Sequence, residues 1–182
     1  MPHPKGSIVT VFGSNAPQAN TPDYEAARDL GKRLAQAGYV VATGGYAGTM
    51  EAASRGAKEG GGYVIGVTTS RFDSVRLSPN SYLDEEIKFP TLFQRLHHLV
   101  TFADAWVALP GGIGTLSEIA LTWSLMQVDE IERKPFVLVG ELWRRTISEF
   151  ANDEYVRPHY RDLIKYAEDV TQVLRLLGNC EP

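Results

Sequence analysis

The residues best suited to chemistry stand in one run, Leu109-Pro110-Gly111-Gly112-Ile113-Gly114-Thr115-Leu116-Ser117-Glu118. Three glycines between an apolar stretch and a helical one permit positive φ and close backbone approach, and the opening amides of a helix have no acceptors inside it. Such a junction is a socket for a phosphate ester. Thr115 is placed to cap the helix and offer its hydroxyl to the anion, and Glu118 follows at the spacing of a capping box. A second turn, Thr43-Gly44-Gly45-Tyr46-Ala47-Gly48-Thr49-Met50-Glu51, repeats the arrangement. Gly44, Gly45, Gly48 and Thr49 therefore join Gly111, Gly112, Gly114 and Thr115 as candidate phosphate- or nucleotide-binding residues, together with Ser14 in the earlier Gly13-Ser14-Asn15 turn. Glu51 is a further candidate carboxylate, though as a favourable charge at a helix N-terminus it needs no catalytic role.

The elements that must hold these loops follow from hydrophobic periodicity. Buried strands are expected at Ser7 to Phe12, Tyr39 to Thr43, Tyr63 to Val67, Ala103 to Leu109 and Phe136 to Gly140. Between them fall amphipathic patterns: one capped by Thr21 and opened by Pro22, one of small residues around Met50, Ala53 and Ala57, then Thr91 to Phe102, Leu116 to Met126 and Leu142 to Phe150. A last helix is expected near Glu168 to Leu177, in a tail packed on the sheet's edge. Strands alternating with helices imply an α/β fold, a doubly wound parallel sheet of the Rossmann-like kind in a single domain. From Thr68 to Pro90 no period holds. A long irregular segment after a strand's carboxyl end suits a lid or substrate-selecting loop, while a plain solvent-exposed connector would look the same.

Bulk properties exclude several classes. With 182 residues, 43% of them hydrophobic, the chain can bury one sizeable core. A net charge of −4, with 18 Lys and Arg dispersed along the chain, argues against a nucleic-acid partner. The single cysteine, Cys180, forms no intramolecular disulfide or cysteine metal cluster, and His97 and His98, adjacent on one helix, point in different directions, so no metal is expected. The opening MPHPKG lacks the apolar core of a signal peptide and no window suits a membrane span, so a soluble, cytoplasmic protein without a membrane partner is expected.

Three blocks, VFGSN at Val11 to Asn15, TGGYAGTMEAASRGA at Thr43 to Ala57 and ADAWVALPGGIGTLSEIALTW at Ala103 to Trp123, give the chain a resemblance to the LOG (lonely guy) family of nucleotide-binding proteins. The resemblance implies a phosphoribohydrolase that cleaves a nucleoside 5′-monophosphate, such as a cytokinin nucleotide or AMP, into free base and ribose 5-phosphate. It implies that Gly111, Gly112, Gly114 and Thr115 hold the 5′-phosphate, that Glu118 contacts the ribose and takes part in catalysis, and that Arg95 assists it. It also implies a homodimer, for which the Thr91 to Phe102 helix could supply the contact. The chain carries Leu92 and Leu96 where the family usually has methionine and lysine, and Glu51 where plant-type members commonly have glycine. The family's older label of possible lysine decarboxylase does not suit this chain. That chemistry needs pyridoxal phosphate on a lysine, and none of Lys5, Lys32, Lys58, Lys88, Lys134 or Lys165 lies beside a glycine loop. No cofactor is therefore expected. The rival to an enzyme is a non-catalytic carrier or sensor of a nucleotide or phosphorylated cofactor, of which the superfamily offers a molybdenum-cofactor carrier; the absence of lysine at Leu96 favours it.

Overall fold

The computed structural model describes residues 6–75, 77–152 and 154–178. Cys180, Lys5 and Arg76 lie outside the described residues, as does most of the opening MPHPKG. Strand β1 (Ile8–Phe12) leads to helix α1 (Pro22–Gln36), β2 (Val40–Thr43) to α2 (Thr49–Glu59), and β3 (Val64–Thr69) through a 3-10 turn to β4 (Glu85–Phe89). Then follow α3 (Leu92–Thr101), β5 (Ala105–Ala108), α4 (Ile113–Gln127), β6 (Phe136–Val139), α5 (Glu141–Phe150), the short α6 (Pro158–Arg161), β7 (Lys165–Ala167) and α7 (Val173–Leu177). The strands form one sheet in the order β4-β3-β2-β1-β5-β6-β7, and every described pairing is parallel. The chain winds outward one way from β1 and the other way from β5. Their carboxyl ends therefore flank the crevice where such sheets bind ligands.

The five central strands β1, β2, β3, β5 and β6 are buried along their whole length, because helices cover both faces. One face packs Phe12, Ile65, Leu99, Trp106, Ile119 and Phe136 beneath α3, α4 and α5. The other packs Val9, Val41, Leu30, Leu34 and Val173 beneath α1, α2 and α7. Burial of side chains of this size stabilises by roughly 1.5–3 kcal/mol each. The small residues of α2 have a second use besides fitting the sheet. A Cβ added to Gly56 would strike the Arg28 carbonyl, and one added to Gly31 the Ala53 carbonyl, so α1 and α2 approach through their backbones.

Three local expectations need correction. Part of the supposed irregular stretch, Glu85–Phe89, is a strand: its alternating half-buried and exposed residues pair from Ile65↔Glu85 to Thr69↔Phe89 at the sheet's edge. Charged residues suit that edge, since they discourage further strand pairing. Strand β7 was hidden for a similar reason, being three residues long and lying just ahead of the helix expected near Glu168 to Leu177. Thr21 does not cap α1 with its side chain, because its hydroxyl donates to the Gln18 carbonyl at 2.7 Å.

Candidate functional site

The loop after β5 opens α4 at Gly112, not at Thr115. Thr115 therefore stands inside the first turn, and the expected Thr115–Glu118 capping box does not form. The first amide of α4 with a described acceptor is that of Leu116, on the Gly112 carbonyl at 3.0 Å. Among the described residues, the N–H groups of Ile113, Gly114 and Thr115 meet no acceptor, and no side chain caps this end. Three open donors at the positive end of a fifteen-residue helix attract an anion. The loop is held from below by Trp143 of α5, whose Nε1 donates to the Leu109 carbonyl at 2.8 Å. Sequence reading did not single out Trp143; its signal was an indole on the buried face of an amphipathic helix.

Glu118 lies one turn further along α4. Its side chain is 10% exposed and faces Arg95 of α3, with Oε1 3.8 Å from Nη1. That distance is an ion pair without a direct hydrogen bond. Burial raises the Glu118 carboxyl to about 7, against the opposing pull of the Arg95 charge. The protein thus holds a carboxyl balanced between its two states near neutrality, which is what proton transfer at that pH requires.

Arg95 is fixed from the opposite side. Thr91 caps α3, its Oγ1 accepting from the Gln94 amide at 3.2 Å, and so sets where Arg95 enters. The guanidinium donates from Nε to the Val67 carbonyl at 2.8 Å and from Nη2 to the Gly44 carbonyl at 3.2 Å. Its Cζ lies 5.7 Å from the centre of the Tyr46 ring. Burial pulls the Arg95 pKa below the ordinary arginine value, while the charge of Glu118 pushes the other way.

The first glycine turn braces its neighbours. The Gly45 amide is bonded to Thr43 Oγ1, and the Thr49 amide and hydroxyl both donate to the Ser14 carbonyl, at 2.8 and 3.1 Å. A Cβ on Gly44 would strike Arg95 Nη2, so Gly44 is the contact through which this turn holds the arginine. Gly48, at φ +70°, lets the turn close against Ser14 and Asn15. Glu51 is turned to the α1 side, where its Oε1 accepts from the Tyr24 hydroxyl at 3.3 Å, and it does not join Glu118 and Arg95. Ser14 also lines, with Gly111, a cavity of about 490 Å³ shared with Gln18, Thr21, Asp23 and Pro110. The segment beyond β3 is not a free lid. Asn80 bonds to the Gly45 and Tyr46 carbonyls at 2.9 and 3.1 Å, Phe72 packs edge-on against Tyr46, and Asp73 pairs with Lys88.

A model of the SLOG cluster4 family matches residues 6–161. A cytokinin riboside 5′-monophosphate phosphoribohydrolase of Rhodococcoides fascians is 31% identical over 170 residues, which is 92% of this chain and 76% of that protein. Among solved structures, the molybdenum cofactor binding protein of Rippkaea orientalis superimposes with a TM-score of 0.74 at 26% identity, covering 94% of each chain. The molybdenum cofactor carrier protein of Chlamydomonas reinhardtii gives 0.69 at 28% identity, over 93% of this chain and 94% of its own.

Proposed function

The chain belongs to the SLOG cluster4 family, and from that premise we propose that it is a phosphoribohydrolase acting on a nucleoside 5′-monophosphate of the cytokinin-nucleotide or AMP kind. One observation carries the reading: a carboxyl balanced near pH 7 stands beside a buried guanidinium, one helical turn from three unpaired amides. The amides of Ile113, Gly114 and Thr115 take the 5′-phosphate, with Gly111 and Gly112 giving the backbone its approach. The ribose then lies along α4 toward Glu118. As the N-glycosidic bond breaks, positive charge grows on the sugar and negative charge on the departing base. Ionised Glu118 stabilises the first and takes a proton from the water whose oxygen bonds to the anomeric carbon, while the leaving nitrogen gains a proton from solvent. Arg95 holds Glu118 in place and adds a cation for the phosphate. No resident cofactor enters these steps.

The similarity to 31% identical phosphoribohydrolase sequence supports this reading. The likeness to molybdenum cofactor binding and carrier proteins favours a second, in which the same socket holds a phosphorylated cofactor as cargo. The two part on turnover. Incubation with AMP, GMP, CMP and a cytokinin nucleotide, followed by chromatography, should release free base and ribose 5-phosphate from at least one. Glu118→Gln should keep nucleotide binding and lose turnover by about 10²-fold or more, the usual weight of a general acid or base. Undiminished base release in that variant refutes the assignment of Glu118, and binding without turnover in the native chain leaves the carrier. The proposal includes a homodimer paired through α3 and the start of α4, where Leu92, Phe93 and Ile113 are 48%, 73% and 80% exposed.

A further inference from the structure

The Arg95–Glu118 pair is wider than two free side chains would choose. A buried guanidinium and carboxylate ordinarily close into a forked pair with bonds near 2.8 Å, yet here they stand at 3.8 Å. The cause of this spacing lies behind Arg95, in the carbonyls of Val67 and Gly44 and the face of Tyr46.

Of these holders, Tyr46 organises the others. It is 3% exposed, and its hydroxyl accepts from the Thr69 amide at 2.8 Å and donates to the Thr69 carbonyl at 3.1 Å. These bonds tie the glycine turn that presents the Gly44 carbonyl to the end of β3, the strand that presents the Val67 carbonyl. The ring meanwhile offers its negative face to the guanidinium, which a buried cation needs. We propose that Tyr46 is a positioning residue, which draws Arg95 back against β3 and the glycine turn and keeps it from closing on Glu118. The proposal deepens the hydrolase reading and rests on the contacts of Arg95 with Val67, Gly44 and Tyr46.

Among the described residues, Arg95 of α3 is the ionisable group that acts on Glu118, and Glu118 and Tyr46 are those that act on Arg95. His98 is turned onto Phe89 and Phe102, and His97 onto Phe93. Release of Arg95 therefore has a definite sign: the cation moves closer and the carboxyl becomes more acidic. A charge brought into direct contact lowers such a group by about one pH unit or more.

The test is the titration of Glu118 in the 182-residue chain without added nucleotide, by carboxyl infrared difference spectra against Glu118→Gln as the blank. In Tyr46→Leu the midpoint should fall by about one pH unit. Tyr46→Phe, which keeps the ring and loses both bonds to Thr69, should move it the same way by less. Folded variants that lose thermal stability with the midpoint unmoved would show a merely structural tyrosine and overturn the proposal; if the leucine variant does not fold, the phenylalanine variant decides. Because the readout needs no nucleotide, a native chain without turnover would sink the hydrolase reading and leave this result standing.

Discussion

At the scale of single residues, the cost of keeping Glu118 out of water should be visible in the stability of the whole chain. Its pKa is raised from 4.5 to about 7 on folding. The folded protein therefore keeps a proton that the unfolded chain gives up, so the penalty this group places on stability is absent below pH 4.5 and grows as pH rises toward 7. Glu118→Gln removes this titration. Its melting temperature should exceed the native one by a margin that widens from pH 5 to about 7 and levels off above that. At this chain length about 1 kcal/mol corresponds to roughly 2–4 °C, so the gap should be several degrees; parallel curves would mean that Glu118 is solvated. Activity should run the opposite way, with kcat/KM rising through the same region as the carboxylate forms. Arg95→Met takes away the opposing charge, so the rise should move to higher pH. It also leaves the carbonyls of Val67 and Gly44 without their donor, at a cost of about 1–3 kcal/mol each where no water replaces it.

Between elements, two glycines that look alike in sequence should fail differently. A methyl group on Gly44 collides with Arg95 Nη2 and Met50 Sδ, and one on Gly111 collides with Thr115. Gly44→Ala should displace the guanidinium and lower turnover by about 10-fold or more, since small misplacements cost that much, while phosphate binding, read by thermal shift with inorganic phosphate, persists. Gly111→Ala should weaken the phosphate shift itself. Equal effects of both substitutions on both readouts would contradict this division. The sequence made the anion loop legible because apolar strand, glycines and helix follow one another without a break. It did not reveal that the first turn serves as a brace, since its bonds run to Ser14 and Arg95, 35 and 51 positions away. Strands β4 and β7 escaped notice because edge strands need no continuous apolar run, and β4, reading Glu-Glu-Ile-Lys-Phe, has none.

For the molecule as a whole, the doubly wound sheet was legible because five buried strands alternate with amphipathic helices, and only the edges and their order had to come from coordinates. Phe93 on α3 and Ile113 at the head of α4 stay exposed, while Arg95 and Glu118 of the same helices are buried. If two copies pair there, light scattering should give twice the chain mass, and Phe93→Asp should halve it without loss of helicity. A native monomer would remove the dimer from the proposal. No described helix is long and apolar enough to cross a membrane.

Since all the strands point one way, the chain divides into two poles with separate duties. The glycine loop after β5, the glutamate and the arginine share one; the other holds connectors such as the bend 128–133 between α4 and β6, where Val128, Asp129, Glu130, Glu132 and Arg133 are exposed. A fluorescent domain spliced into that bend would hang at the far end of the very helix whose head is proposed to take the phosphate. It would thus be coupled to the ligand by a rigid rod of fifteen residues yet never stand in its way, which makes this bend the natural place to build a nucleotide reporter from the protein.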